Sequence, residues 1–192
     1  MSPRTILNSM LFLDVETNGI GKFRPPTQRI VQIAWILNGV KKSYFVNDVE
    51  EVSDQVPHPY NVSFLRTNGN SFINAITDFM EDIKKCKIIV AHNSDFDIGC
   101  IKYELFSRGF DEEYHKILDF KKVLCTMKSS VYYCKIPFDK PRPNIYKWPK
   151  LEELYNKIFK RKPDIILHDA LNDCIVTRKC VRSLLNNNAL KL

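Results

Sequence analysis

The sequence predicts an α/β fold, a mixed five-stranded sheet flanked by helices, and three observations carry that expectation. Strands come first with no helix between them, and the second and third are joined by Asn38-Gly39, a strong hairpin signal. Two later short apolar runs, Lys87–Ala91 and Lys122–Met127, alternate with helical segments. The long segment before the first of these runs, and the last segment of the chain, repeat their apolar residues at helical spacing. An antiparallel meander followed by parallel strands, covered by helices, satisfies all three.

Each element has its own justification. Residues 1–9 are polar and read as a short arm. Met10 to Leu13 is an apolar run, so the first strand is expected to end at Asp14. Gly19 to Gln28 reads as a loop, with Gly21 and the Pro25-Pro26 pair. Arg29–Leu37 is apolar on nearly both faces, and Lys42–Val46 is the third strand. Residues 48–70 hold Pro57, Pro59 and Asn68-Gly69-Asn70 and read as irregular. Ser71 is placed to cap a helix whose apolar positions are Phe72, Ile73, Ile76, Phe79, Met80 and Ile83. After Lys87–Ala91, His92-Asn93-Ser94 leads into a helix from about Asp95 to Ser107, stopped by Gly109. A polar stretch precedes the strand at Lys122–Met127. Residues 135–149 carry four prolines and read as a long loop. Leu151–Phe159 is a helix, and Ile165–Leu167 leads into a final one over about Asp169–Asn187. Its Ala170, Cys174, Thr177, Val181 and Leu184 lie on one face.

At 192 residues and 44% hydrophobic, the chain suits a single domain over residues 1–192, with a core from about 8 to 187. No run of 18 apolar residues exists, which excludes a membrane helix, and the N-terminus lacks the apolar stretch of a signal peptide. The six cysteines show no Cys-x-x-Cys pairing, which argues against structural zinc and for reduced thiols. An intracellular, cytoplasmic location is expected, with the nucleus left open. Residues 121–162 hold 12 basic and 3 acidic groups, a local charge of +9 against +7 for the whole chain. That block also holds Tyr132, Tyr133, Tyr146 and Trp148, the composition of a polyanion-binding surface, although a solvated basic face fits the charge equally well.

The chemistry begins at Asp14-Val15-Glu16-Thr17-Asn18-Gly19. Residues i and i+2 of a strand share a face, so Asp14 and Glu16 present their oxygens side by side. Two such carboxylates repel unless a proton or a cation compensates them, and hard oxygen ligands suit Mg²⁺ or Mn²⁺. Alone, the pair also fits a solvated strand edge. Ala91-His92-Asn93-Ser94-Asp95-Phe96-Asp97 repeats the pattern at the exit of a buried strand. Acids there complement a helix dipole, so Asp95 is assigned to the cap and Asp97, beside the apolar Phe96, to the site. In Leu167-His168-Asp169-Ala170-Leu171-Asn172-Asp173, Asp169 is a good N-cap type. Residues five apart do not share a helical face, so His168 meets Asp173 only if it lies just before the helix. Four carboxylates, Asp14, Glu16, Asp97 and Asp173, would then need two divalent ions to neutralise them and clamp a phosphodiester. His168 could take a proton from the attacking water.

These residues resemble the DnaQ-like, DEDD-type 3′→5′ exonucleases, in the histidine-bearing DEDDh branch. Asp14-Val15-Glu16-Thr17-Asn18-Gly19 is similar to the first motif of that family, His92-Asn93-x-x-Phe96-Asp97-Ile98-Gly99 to the second, and His168-Asp169-Ala170-x-x-Asp173 to the third. Cys125-Thr126-Met127 and Lys147-Trp148-Pro149-x-Leu151-x-x-Leu154 look like the branch's connecting segments. The resemblance runs from about residue 10 to 180 and leaves no motif position empty. It implies an RNase H-like fold, Asp14, Glu16, Asp97 and Asp173 as ligands of two Mg²⁺ ions (Mn²⁺ substituting), and His168 as general base. It further implies that Thr17 and Ile20 hold the terminal nucleotide and that His92 and Asn93 support the site or touch the nucleotide. The implied partner is nucleic acid with a free 3′ end, DNA favoured and RNA open, cut to nucleoside 5′-monophosphates. A homodimer or polymerase association stays open. The alternatives are an RNA exonuclease of the oligoribonuclease or RNase T type, or a polymerase-associated binding module. About 19 residues follow Asp173, too few for a polymerase-holding tail, which favours a free-standing enzyme.

Overall fold

A computed structural model describes residues 3–19, 28–140 and 142–190. One mixed sheet organises them, in the order β3-β2-β1-β4-β5. Its strands are β1 (Met10–Thr17), β2 (Ile30–Leu37), β3 (Val40–Phe45), β4 (Ile88–Ala91) and β5 (Lys122–Cys125). β1, β2 and β3 form the antiparallel meander, while β4 and β5 add in parallel beyond β1. The expected α/β sheet is therefore present. The hairpin turn is Asn38-Gly39, both at positive φ, as a tight two-residue connection requires.

Side-chain alternation along β1 divides the core. Leu11, Leu13 and Val15 face a cluster with α3 (Phe72–Lys85) and α4 (Ser94–Ser107). Met10 and Phe12 face the opposite cluster, with α8 (Leu151–Phe159) and α9 (Ala170–Asn186). The same alternation carries Asp14 and Glu16 onward on the α9 side. α9 packs across β1 and β2 and buries every apolar position assigned to it, Cys174, Val181 and Leu184 among them. Ser71 caps α3 by accepting from the Asn74 N–H. All six cysteines are free and buried.

Several boundaries differ from the sequence expectation. β1 does not end at Asp14 but runs to Thr17, because β2 continues beside it, pairing Ala34 with Asp14 and Gln32 with Glu16. Residues 1–9 are not simply an arm: Pro3–Asn8 forms the short helix α1, which buries Leu7 in the α9-side cluster. The segment 48–70 contains α2 (Val62–Asn68), capped by Asn61. The polar stretch after Gly109 contains α5 (Glu112–Asp119), and Thr126–Ser129 and Val131–Cys134 form two single turns, α6 and α7. Asp95 is not the cap of α4. Asn93, in the left-handed conformation at φ 79°, occupies the cap position, and Asp95 turns outward to pair with Lys128 at 2.6 Å. Ile20 lies outside the described residues.

Candidate active site

The site lies where β1 has an antiparallel neighbour on one side and a parallel neighbour on the other, at the carboxyl ends of β1 and β4. β1 and β4 pair only as far as Phe12 and Val90, so Val15 beyond them needs another partner for its N–H. Asp97, in the first turn of α4, supplies it: the Val15 N–H donates to Asp97 Oδ1 at 3.1 Å. The other oxygen, Asp97 Oδ2, is buried without a hydrogen-bond partner. On the far side, β1 shifts register between Glu16 and Thr17, an irregularity of the kind that re-aims side chains beside a site.

α9 brings the third segment. Asp169 caps it, accepting from the Asn172 N–H at 2.9 Å, and His168 sits just before the cap at φ 67°. The left-handed turn folds His168 back over the opening of the helix, so its own N–H donates to Asp173 Oδ2 at 3.4 Å. This is the geometry that lets residues five apart converge. A ring nitrogen of His168 and carboxylate oxygens of Glu16 and Asp173 all lie within 4.8 Å of one another. Asp173 Oδ1 is, like Asp97 Oδ2, buried without a partner.

Electrostatics joins Asp14 and Asp97 to that cluster. Burial, then repulsion from Asp97, Asp173 and Glu16, pushes the Asp14 carboxyl well above the ordinary carboxylate range. Burial, then Asp173 and Asp97, pushes Glu16 up to about 8. Asp97 rises to about 8 and Asp173 to about 7, burial being the main cause in both. Among the described residues no cation is prominent in the electrostatics of these four acids. Two buried, unpartnered carboxylate oxygens, one of them on the Asp173 that gathers with Glu16 and His168, fit hard divalent cations by the chemistry of their donors.

A polar network behind the site, absent from the sequence expectation, fixes its geometry. Asp169 Oδ2 accepts from Tyr60 Oη at 2.6 Å and from Gln32 Nε2 at 3.0 Å. Gln32 Oε1 in turn accepts from the Ala170 N–H, satisfying another free donor at the start of α9. His58, buried and stacked on Tyr60, hydrogen-bonds the Thr17 carbonyl through Nε2 at 2.8 Å. Thr17 itself is buried, its hydroxyl donating to the Gly19 carbonyl. Among the predicted nucleotide contacts, His92 is tied inward. Its Nε2 meets the Pro149 carbonyl and its Nδ1 the Thr126 hydroxyl, both at 2.9 Å. Burial lowers it to about 4, so it is neutral, with Nε2 donating and Nδ1 accepting. Asn93 contributes its backbone turn, and its side chain makes no cap bond.

Among the described residues no helix is long and apolar enough to cross a membrane. No curated protein matches the sequence. Solved structures resemble it in fold. A zinc-bound Exonuclease I–ssDNA complex from E. coli aligns with TM-score 0.66 at 19% identity over 94% of this chain and 41% of that one. Cell-death related nuclease 4 aligns with TM-score 0.65 at 12% identity, over 93% and 64%. A full-length 3′-exonuclease aligns with TM-score 0.64 at 14% identity, over 93% and 82%. The chain thus spans about two fifths of the Exonuclease I chains it matches, and the shared fold is RNase H-like. The exonuclease family model, RNase_T, matches residues 11–181, through all three acid-bearing segments, and on that breadth the chain belongs to the DnaQ-like exonuclease family.

Proposed function

We propose that the chain acts as a single 3′→5′ exonuclease domain, hydrolysing the terminal phosphodiester of single-stranded DNA or of an unpaired 3′ end. The observation that carries this reading is the pair of buried, partnerless oxygens on Asp97 and Asp173, the latter gathered with Glu16 and His168. Asp14, Glu16, Asp97 and Asp173 would hold two divalent ions, Mg²⁺ with Mn²⁺ able to substitute. Bound there, the ions neutralise the acids and supply Lewis acidity toward the phosphate.

The protein's own groups do the rest. His168 is exposed and its imidazole is held below its usual value by partial burial and by His58 and Lys150, so it is neutral at pH 7 and free to accept a proton. It takes that proton from the water attacking phosphorus as the bond to the 3′ oxygen of the preceding nucleotide breaks. The products are a nucleoside 5′-monophosphate and a strand one nucleotide shorter. The Asp169–Tyr60–Gln32 network fixes the backbone turn at His168, so the imidazole is pre-aimed. Thr17 would contact the terminal nucleotide together with Ile20. The Exonuclease I relative in complex with ssDNA supports DNA over RNA as substrate.

Asp14→Ala and Asp173→Ala should each abolish release of mononucleotides from a 3′-labelled oligonucleotide in Mg²⁺ while circular dichroism stays that of the parent. Retained cleavage in either variant would refute the assignment. Competition between matched DNA and RNA strands measures the preference; equal cleavage would remove DNA as the favoured substrate.

A further inference from the structure

The carboxylate centre leaves one feature unused: the basic segment 121–162 exposes large aromatic rings to water. Tyr132 is 71% exposed and meets Tyr146 edge to face, with ring centroids 6.1 Å apart. Trp148, two residues beyond Tyr146, is 49% exposed, whereas the other tryptophan, Trp35, is fully buried. The backbone carrying these rings is held in place. The Lys147 N–H donates to the Ile136 carbonyl at 2.9 Å, closing the proline-rich loop, and Arg142 bridges to Ile145 within it.

One end of this row is fixed to the site. Pro149, next after Trp148, is buried, and its carbonyl accepts from His92 Nε2. His92 immediately follows β4, and the helix beyond it carries Asp97. Lys150, on the other side of Pro149, is near enough for its charge to depress His168. The cations divide unevenly along the same stretch. Lys128, Lys147 and Lys162 are paired with acids, whereas Lys135, Lys140 and Arg142 have no ion-pair partner among the described residues.

We propose that Tyr132, Tyr146 and Trp148 form a stacking track that leads single-stranded nucleic acid to the carboxylate centre, with Lys135, Lys140 and Arg142 on its phosphates. Rings interleaved with unpaired cations are the combination that holds a strand without reading its sequence, since every base offers a π-face. The track takes unpaired bases, so the substrate is a strand with a single-stranded 3′ tail several nucleotides long. The direction of travel rests on the exonuclease reading; the stacking does not.

The test uses the full chain in EDTA, where nothing is cut. A 12-mer of thymidylate should quench the emission of Trp148, because Trp35 is shielded. A stacked base contributes about 1–3 kcal/mol. Trp148→Ala and Tyr132→Ala should therefore each weaken 12-mer binding by about 5- to 150-fold while melting like the parent. Trp148→Phe, which keeps a ring, should restore most of the affinity. Emission that ignores the 12-mer, or alanine variants that bind it as tightly as the parent, would overturn the track. Cleavage of the dinucleotide by the parent protein in Mg²⁺ reports on the centre separately. A parent that cuts nothing yet shows the quench and its loss would support the track and reject the exonuclease reading.

Discussion

Asp97 divides its carboxylate: one oxygen completes the hydrogen bonding of β1 and the other is buried without a partner. That division has a measurable cost when no cation is present. The folded protein binds protons on Glu16 and Asp97 up to about pH 8 and on Asp173 up to about 7. The unfolded chain releases them near pH 4. Between these limits the folded state carries more protons, so stability falls as pH rises. In EDTA the melting temperature should drop from pH 5 to pH 8, Asp97→Asn should flatten the drop, and Mn²⁺ at pH 8 should reverse it. A flat profile in the parent would contradict the crowding of these acids. At this scale the shared face of Asp14 and Glu16 and the approach of His168 to Asp173 are legible in the sequence, because strand alternation and a capping residue are local rules. Tyr60 and Gln32 are not, since their partner Asp169 lies 109 and 137 residues away and no short pattern announces it.

Elements are legible where apolar periodicity is uninterrupted. Leu151–Phe159 is found at the expected boundaries, and the last helix within a residue at each end. β1 outruns its apolar run because Asp14, Glu16 and Thr17 interrupt the apolar pattern while their backbone stays in the sheet. α5 escapes the sequence reading because its eight residues are too few to repeat an apolar period, with Leu118 buried and Tyr114 and Ile117 partly so. Gly69 also reads as simple turn punctuation, yet its φ is an ordinary −89° and its role is close approach. A Cβ there would stand 2.5 Å from the Leu65 carbonyl oxygen and 2.9 Å from the Asn47 backbone nitrogen. These are backbone atoms, fixed by the hydrogen bonds that join Asn70 to Phe45 and Asn47, so neither can yield cheaply. Gly69→Ala should lower stability by about 1–3 kcal/mol, the usual cost of overpacking. Urea denaturation checks this, and an unchanged midpoint would show that the end of α2 can shift away from β3.

Over the whole molecule, charge is segregated: residues 1–120 sum to −3, from 13 basic and 16 acidic groups, and residues 121–162 to +9. The asymmetry is readable in the sequence, but which cations are already paired is not, because Lys128 meets Asp95 and Lys162 meets Glu152 only in the fold. Binding to a single strand loses affinity with salt at a slope of about 0.7 per phosphate neutralised. Replacing Lys135, Lys140 and Arg142 together by Gln should therefore lower the slope by about 2 in an oligonucleotide titration across salt concentrations. An unchanged slope would place the three away from the strand. The six buried cysteines bear on the molecule as a whole in another way. Burial holds the thiols of Cys86, Cys100, Cys134, Cys174 and Cys180 above their ordinary values, and they lie on both faces of the sheet. A thiol reagent in neutral solution thus reaches these five sulfurs only slowly until the chain opens. Its rate of attack becomes a clock for opening, carried by the protein without any added label.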